Sequence, residues 1–264
     1  MRMIERAAAG SADFVFLDLE DSVAPGEKVA SRQNVIRGLN TLDWGKTIRA
    51  MRINSLDTEW AYEDIIEIVE AAGENLDMII VPKVMRAEDV RWVDVLLTQI
   101  EKKLKRENPI KLEVLIEEVQ AMTNSDEIAE ASPRLEALIF GPGDYSASQG
   151  VNSDAVGGVH PDYPGDVWHY ARSKVVIAAR AAGIDAVDGP FLDFSDPEGY
   201  RRECRRSAVM GFVGKWCIHP SQTDIANEAY SPTQDDVDHA RKMVAAYKEA
   251  EARASARSPW TARW

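Results

Sequence analysis

Only two cysteines, Cys204 and Cys217, occur in 264 residues. Two thiols build no disulfide framework, so a reducing cytoplasm is the expected setting. Nor is there an apolar stretch near the roughly 18 residues that cross a bilayer, or a basic-then-apolar leader, so neither a membrane span nor a secretory signal is expected. Positive charge is in deficit: 31 Lys and Arg stand against 44 Asp and Glu, a net charge of −13 at pH 7. A surface of that sign repels a phosphate backbone, which argues against nucleic acid as a partner, although a local basic pocket for a phosphorylated small molecule stays compatible with it. Internal repeats and low-complexity tracts are also missing. What the chain does have is core material: it is 45% hydrophobic with seven Trp, enough for one large domain.

That material is organised in two alternating periods. Short apolar runs fall at 14–19, 48–53, 78–84, 112–117, 137–140, 184–188 and 213–218, and the segments between them have helical spacing. Asp57 and Thr58 are expected to cap a helix ending at Gly73, residues 87–105 read as a charged amphipathic helix, and Asp196-Pro197 opens another running to Gly211. Strand–helix alternation implies a parallel sheet with helices outside. A doubly wound open sheet accommodates seven strands, but the even spacing favours a (β/α)8 TIM barrel. Residues 1–10 read as a helix leading into the first visible strand, so the expectation is that the barrel's first strand is missing from this sequence. Residues 1–232 read as the barrel and residues 233–264 as a C-terminal helix and tail ending in SPWTARW. A long Gly/Pro/Asp loop at 149–167 has the length of a functional loop.

In such a barrel the chemistry gathers at the carboxyl ends of the strands. Those ends carry Asp18, Glu20 and Asp21; Arg52 and Asn54; Lys83; Glu117 and Glu118; Asp144; Asp188; and His219. The segment 135–148, LEALIFGPGDYSAS, is the most informative. An apolar run stops at Gly141-Pro142-Gly143 and leaves Asp144 at the mouth. Glu117 precedes it by 27 residues, one helix and two loops, which puts the two acids at neighbouring strand ends. Two carboxylates with water in the other positions suit Mg²⁺. From spacing alone the same acids serve equally well as ion-pair partners on the rim. The glycine turn would leave N–H groups of Gly141 and Gly143 for a substrate carboxylate beside Asp144, and Arg52 could grip a carboxylate or oxyanion with both arms. Lys83 has the place of a Schiff-base lysine, but an ion pair with Glu20, Asp21 or Glu117 is the simpler reading. His219, before Pro220, is expected to fix a turn. Gly141-Pro142-Gly143 is no nucleotide fingerprint, because it lacks the third glycine and Pro142 has no N–H.

Seven segments in order, DLEDSVAPGEK (18–28), RINSLDT (52–58), IIVPKV (79–84), LIEE (115–118), RLEALIFGPGDYSAS (134–148), VDGPFLDFSDPEG (187–199) and GKWCIHPSQ (214–222), resemble the HpcH/HpaI aldolase and citrate lyase β-subunit superfamily. Within it the chain is most similar to the malyl-CoA/β-methylmalyl-CoA lyases, on LDWG at 42–45, GKWCIHPSQ and Trp168-His169 after the long loop. The resemblance implies a (β/α)8 barrel that binds a CoA thioester and Mg²⁺, or Mn²⁺, on Glu117 and Asp144. It puts Arg52 in the active site and makes Glu20 and Asp21 the supports of the metal's waters and of Lys83. It also implies a homotrimer or homohexamer, and a C-terminal lid whose Asp serves a neighbouring subunit; that lid is expected to be absent here, since SPWTARW contains no acid. The implied reaction is reversible Claisen-type cleavage of malyl-CoA or β-methylmalyl-CoA into glyoxylate and acetyl-CoA or propionyl-CoA. Its rivals are a malyl-CoA thioesterase, a citrate lyase β-like citramalyl-CoA lyase, a CoA-independent aldolase and a non-catalytic barrel that binds CoA esters.

Overall fold

The structure, a computed structural model, describes residues 1–151, 159–160 and 162–252. Its strands are β1 (Phe14–Asp18), β2 (Ile48–Arg52), β3 (Met78–Val81), β4 (Lys111–Ile116), β5 (Leu135–Phe140), β6 (Val159–His160), β7 (Tyr163–Asp166), β8 (Asp185–Asp188) and β9 (Gly214–Lys215). Its α-helices are α1 (Arg2–Ala8), α2 (Lys28–Thr41), α3 (Ala61–Ala72), α4 (Ala87–Leu104), α5 (Val119–Thr123), α6 (Ser125–Ala129), α7 (Pro142–Gln149), α8 (His169–Ala182), α9 (Pro197–Met210), α10 (Thr223–Tyr230) and α11 (Gln234–Ala252). The chain forms two compact units, Met1–Ala229 and, from Tyr230 onward, a second that contains α11. Among the described residues no helix is long and apolar enough to cross a membrane.

Seven strands make one all-parallel sheet in the order β1-β2-β3-β4-β5-β8-β9. Parallel strands are covered on both faces, which is why runs such as MIIV in β3 are apolar at every position and wholly buried. One face gathers Phe14 and Phe16 of β1, Ala50 of β2, Met78 and Ile80 of β3, Leu115 of β4, Ile139 of β5, Val187 of β8 and Trp216 just past β9 into a single cluster. The sheet must be curled for this to happen: Phe16 on one edge strand and Trp216 beside the other have ring centroids 4.4 Å apart. The opposite face carries Leu17, Met51, Ile79, Val114 and Leu138, all buried, as are Val35, Ile65, Val93 and Val175 on the helices.

The fold is therefore α/β with a curled parallel sheet, which among the described residues has seven strands. The expected helix from Asp57 starts four residues later. Thr58 instead turns back, its hydroxyl donating to Ser55 O (2.7 Å) and accepting from Trp60 N–H (3.4 Å), so α3 opens after Trp60. Asp196 caps α9 as expected, accepting from Gly199 N–H. The 149–167 segment contains the antiparallel hairpin β6–β7, which its Gly/Pro-rich composition hides. Positions 152–158 and 161 of that segment, and the SPWTARW tail, lie outside the described residues.

Arg32 of α2 is fully buried and holds Asp64 of α3 at 2.8 Å, with Glu63 at 2.8 Å and Glu67 at 3.0 Å. Arg32→Met would leave the buried Asp64 carboxylate without its counter-ion, held by the Asn54 N–H groups, a loss of about 3–5 kcal/mol. Thermal denaturation followed by circular dichroism should show a fall in Tm of roughly 6–15 °C.

Candidate active and metal site

Strand alternation decides which polar residues can meet. In β1 and β2, Phe14, Phe16 and Ala50 point to the concave face, so Asp18 and Arg52, paired in register at the carboxyl ends, point there too. Glu117 and Gly141, two residues beyond Leu115 and Ile139, fall in the same phase past β4 and β5.

Arg52 is buried and fully engaged. Its Nε and Nη2 bond both oxygens of Asp18, at 2.8 and 2.7 Å, and Nη1 lies 2.8 Å from Glu20 Oε2 and 3.6 Å from Asp21. Its guanidinium carbon is 5.8 Å from the Phe16 ring and 5.5 Å from the Trp216 ring. Burial opposes the Arg52 charge, but Asp18 and Glu20 outweigh it and hold the group above its ordinary range. The same pairing keeps Asp18 below the usual carboxylate range against the effect of burial. The expected two-armed grip on a substrate is thus corrected: that edge of Arg52 belongs to Asp18.

Lys83 follows β3 with φ at 50°, a left-handed conformation that costs a non-glycine residue energy and is concentrated at functional sites. Its Nζ lies 2.6 Å from Glu20, 3.8 Å from Asp21 and 3.6 Å from Asp144, while its backbone N–H donates to Glu117 Oε1 at 2.9 Å. Burial alone would lower the Lys83 pKa; the bond to Glu20 and the carboxylates around it raise it instead. An ammonium so held is no Schiff-base nucleophile, which needs a free amine.

Glu117 is buried at 3% exposure, and burial pushes its carboxyl up to about 8, with repulsion from Glu20 and Asp144 adding to it. Its side chain lies over Gly141: a Cβ there would come within 2.5 Å of Glu117 Cβ and 2.6 Å of Oε2. Asp144, 44% exposed, sits in the first turn of α7, which Pro142 opens. Val119 N–H donates to Ser148 Oγ at 3.0 Å, tying the segment after Glu117 to α7. The expected carboxylate cradle shifts, because Gly141 N–H already donates to Ile116 O. The first turn of α7, from Gly143, retains amides with no intrahelical acceptor.

The sequence-selected Glu20, Asp21, Arg52, Lys83, Glu117 and Asp144 therefore converge. His219 does not join them: it caps the turn at 220–222 through Ser221 N–H and stacks on Phe194. Asp188 is also elsewhere, buried against Arg172 and Lys215. Asp18 and Trp216 had no assigned role, although the register Asp18↔Arg52 and the phase of Trp216 past β9 carried the signal. Five carboxyl groups (Asp18, Glu20, Asp21, Glu117 and Asp144) share two cations, Arg52 and Lys83, an imbalance that a hard divalent ion would largely offset. Among the described residues no three His, Cys, Asp or Glu side chains form a metal cage. The donor set fits an ion held by two carboxylates that keeps several waters, and does not fit tetrahedral zinc.

The model of the HpcH/HpaI aldolase/citrate lyase family matches residues 1–220. The L-malyl-CoA/beta-methylmalyl-CoA lyase of Cereibacter sphaeroides is 46% identical over 95% of this chain and 82% of its own length. A (3S)-malyl-CoA thioesterase from the same organism is 36% identical over 95% of this chain and 80% of its own. Among solved structures, the protein CitE of Mycobacterium tuberculosis in complex with magnesium, acetoacetate and coenzyme A is similar with a TM-score of 0.71 and 30% identity, over 92% of this chain and 81% of that one.

Two outcomes test this geometry. Gly141→Ala should displace Glu117 and lower Tm by several degrees, measured by calorimetry. In the metal-free protein Glu117→Gln should be stabilising, because the raised pKa means the carboxylate charge is disfavoured by folding. The penalty is absent below the ordinary glutamate range, grows as pH rises and is complete above about 8. Tm of Glu117→Gln should exceed that of the wild type by roughly 2–6 °C at pH 9 and match it near pH 4.5.

Proposed function

Because the chain belongs to the HpcH/HpaI aldolase/citrate lyase family, we propose that it is a Mg²⁺-dependent carbon–carbon lyase. Its substrate would be a 3-hydroxyacyl-CoA, malyl-CoA or β-methylmalyl-CoA, and its products glyoxylate and acetyl-CoA or propionyl-CoA. The observation that carries this reading is the paired carboxylates Glu117 and Asp144 at neighbouring strand ends, inside a ring of acids that outnumbers its cations. The relatives named malyl-CoA lyase and the magnesium and coenzyme A complex of CitE point the same way.

Glu117 and Asp144 would hold the ion, with Mn²⁺ able to replace Mg²⁺. A bound divalent ion supplies Lewis acidity toward the hydroxyl or carbonyl oxygen of the substrate. Lys83 Nζ, 2.6 Å from Glu20 and 3.6 Å from Asp144, keeps these two carboxylates near each other. Glu20 and Asp21, on the loop past β1, would receive the hydrogen bonds of coordinated water. The first-turn amides of α7 from Gly143 would bind the carboxylate that leaves as glyoxylate, with Gly141 giving the close approach rather than a donor. On cleavage the substrate hydroxyl would give its proton to a carboxylate of the acid ring, and the electron pair of the C–C bond would pass into a thioester enolate near the fixed charge of Arg52. The enolate carbon would then take up a proton from water to give acetyl-CoA or propionyl-CoA.

In the same reading residues 1–232 are the catalytic unit and the curled sheet is part of a (β/α)8 barrel, a closure supported by the Phe16–Trp216 contact. Assembly as a homotrimer or homohexamer in the cytoplasm completes it, and light scattering would measure the assembly.

The deciding experiment incubates the protein with malyl-CoA, with Mg²⁺ or with EDTA, and identifies products by mass. Glyoxylate and acetyl-CoA are expected with Mg²⁺ alone; free malate and CoA would mean a thioesterase, and no product a binding barrel. Glu117→Gln should lower turnover by roughly two orders of magnitude or more; unchanged turnover would overturn the assignment.

A further inference from the structure

Behind the turn that carries Asp144 lies a polar network that the proposed reaction does not use. Arg172 of α8 is fully buried. It contacts Asp166 of β7, Asp188 of β8 at 3.1 Å and Glu203 of α9 at 2.8 Å. Its guanidinium carbon lies between two rings, 5.7 Å from Phe140 and 5.2 Å from Trp168. Phe140 ends β5, immediately before the Gly141–Asp144 turn. Trp168 is held by Asp166, which accepts its backbone N–H at 3.0 Å, and its ring meets Phe140 edge-on at 6.4 Å.

From Trp168 the contacts run straight to the turn. The indole Nε1–H donates to Ser146 Oγ at 2.8 Å, and Ser146 Oγ donates to the Pro142 carbonyl at 2.6 Å. Trp168 is 7% exposed and Ser146 6%, so water competes little for either bond. Ser146 lies two residues past Asp144, and Pro142 two residues before it. The bond therefore closes the helical turn that contains Asp144 and fastens it to a side chain from another element. On the other side, Lys215 donates to the Gly189 carbonyl at 2.6 Å, and Gly189 is packed so closely on Phe140 O and Pro142 that a Cβ would collide with both.

We propose that Trp168 and Ser146 are positioning residues that fix the direction of the Asp144 carboxylate, acting through the first turn of α7. The inference rests on the reading of Asp144 as a metal ligand. A mutation that only loosened packing would lower stability; a mutation that released this turn would weaken the metal site in a protein that is still folded.

The test titrates the full chain with Mn²⁺ and follows the free ion by electron paramagnetic resonance, with Tm in EDTA as the measure of folding. Asp144→Asn should weaken Mn²⁺ binding at least tenfold; if it does not, the metal reading fails. Given that loss, Trp168→Phe, which keeps a ring but removes the N–H, should weaken Mn²⁺ binding three- to tenfold. Ser146→Ala should do the same, and the double variant should be no worse than the weaker single variant, because one relay is broken twice. Should Trp168→Phe not fold, Ser146→Ala alone carries the test. Mn²⁺ affinity within twofold of the wild type in the folded variants, or additive losses in the double variant, would overturn the positioning role while leaving the metal reading intact.

Discussion

Lys83 joins the two halves of the site. Its ammonium belongs to Glu20 and its backbone N–H to Glu117, so one residue bridges the loop past β1 and the end of β4. Arg52 continues the line toward β1 through Asp18, and Glu117 continues it toward β5 by lying against Gly141. Side chains from five strand ends thus form one unbroken chain of contacts around the mouth. The left-handed backbone of Lys83 is part of this arrangement, since it aims the N–H and the side chain at different partners.

This chain of contacts leaves the site negatively charged, because its two cations are outnumbered by the acids they hold. A buried carboxylate whose pKa has been raised, as Glu117's has, stores an unfavourable charge that a bound cation would relieve. Stability and function are therefore opposed at this residue, as they often are where a site is built to receive an ion.

The parallel sheet was legible in the sequence because short apolar runs such as MIIV, rich in β-branched residues, recur at even spacing between helical segments, and that alternation leaves few topologies. Glu117 and Asp144 could be picked out since an acid closing an apolar run has no packing reason to be there. The partners of Arg52 were harder. Asp18, Glu20 and Asp21 are all acids within four residues, and only the register Asp18↔Arg52 decides which of them fills the fork. The start of α3 was misplaced because Thr58 spends its hydroxyl on a turn instead of a cap. The hairpin β6–β7 stayed hidden since its sequence, YPGD in β7, has the composition of a loop. The Trp168–Ser146 bond joins residues 22 apart with no sequence pattern to announce it.

Gly141 and Gly189 flank the same turn from opposite sides, each in contact distance of what a methyl group would occupy. At this point neither position has room for a side chain. The spacing between three neighbouring strand ends is set by bare backbone, so a change in the size of molecule accommodated cannot come from here. Room for a bulkier or smaller substrate has to come from the loops that surround the mouth.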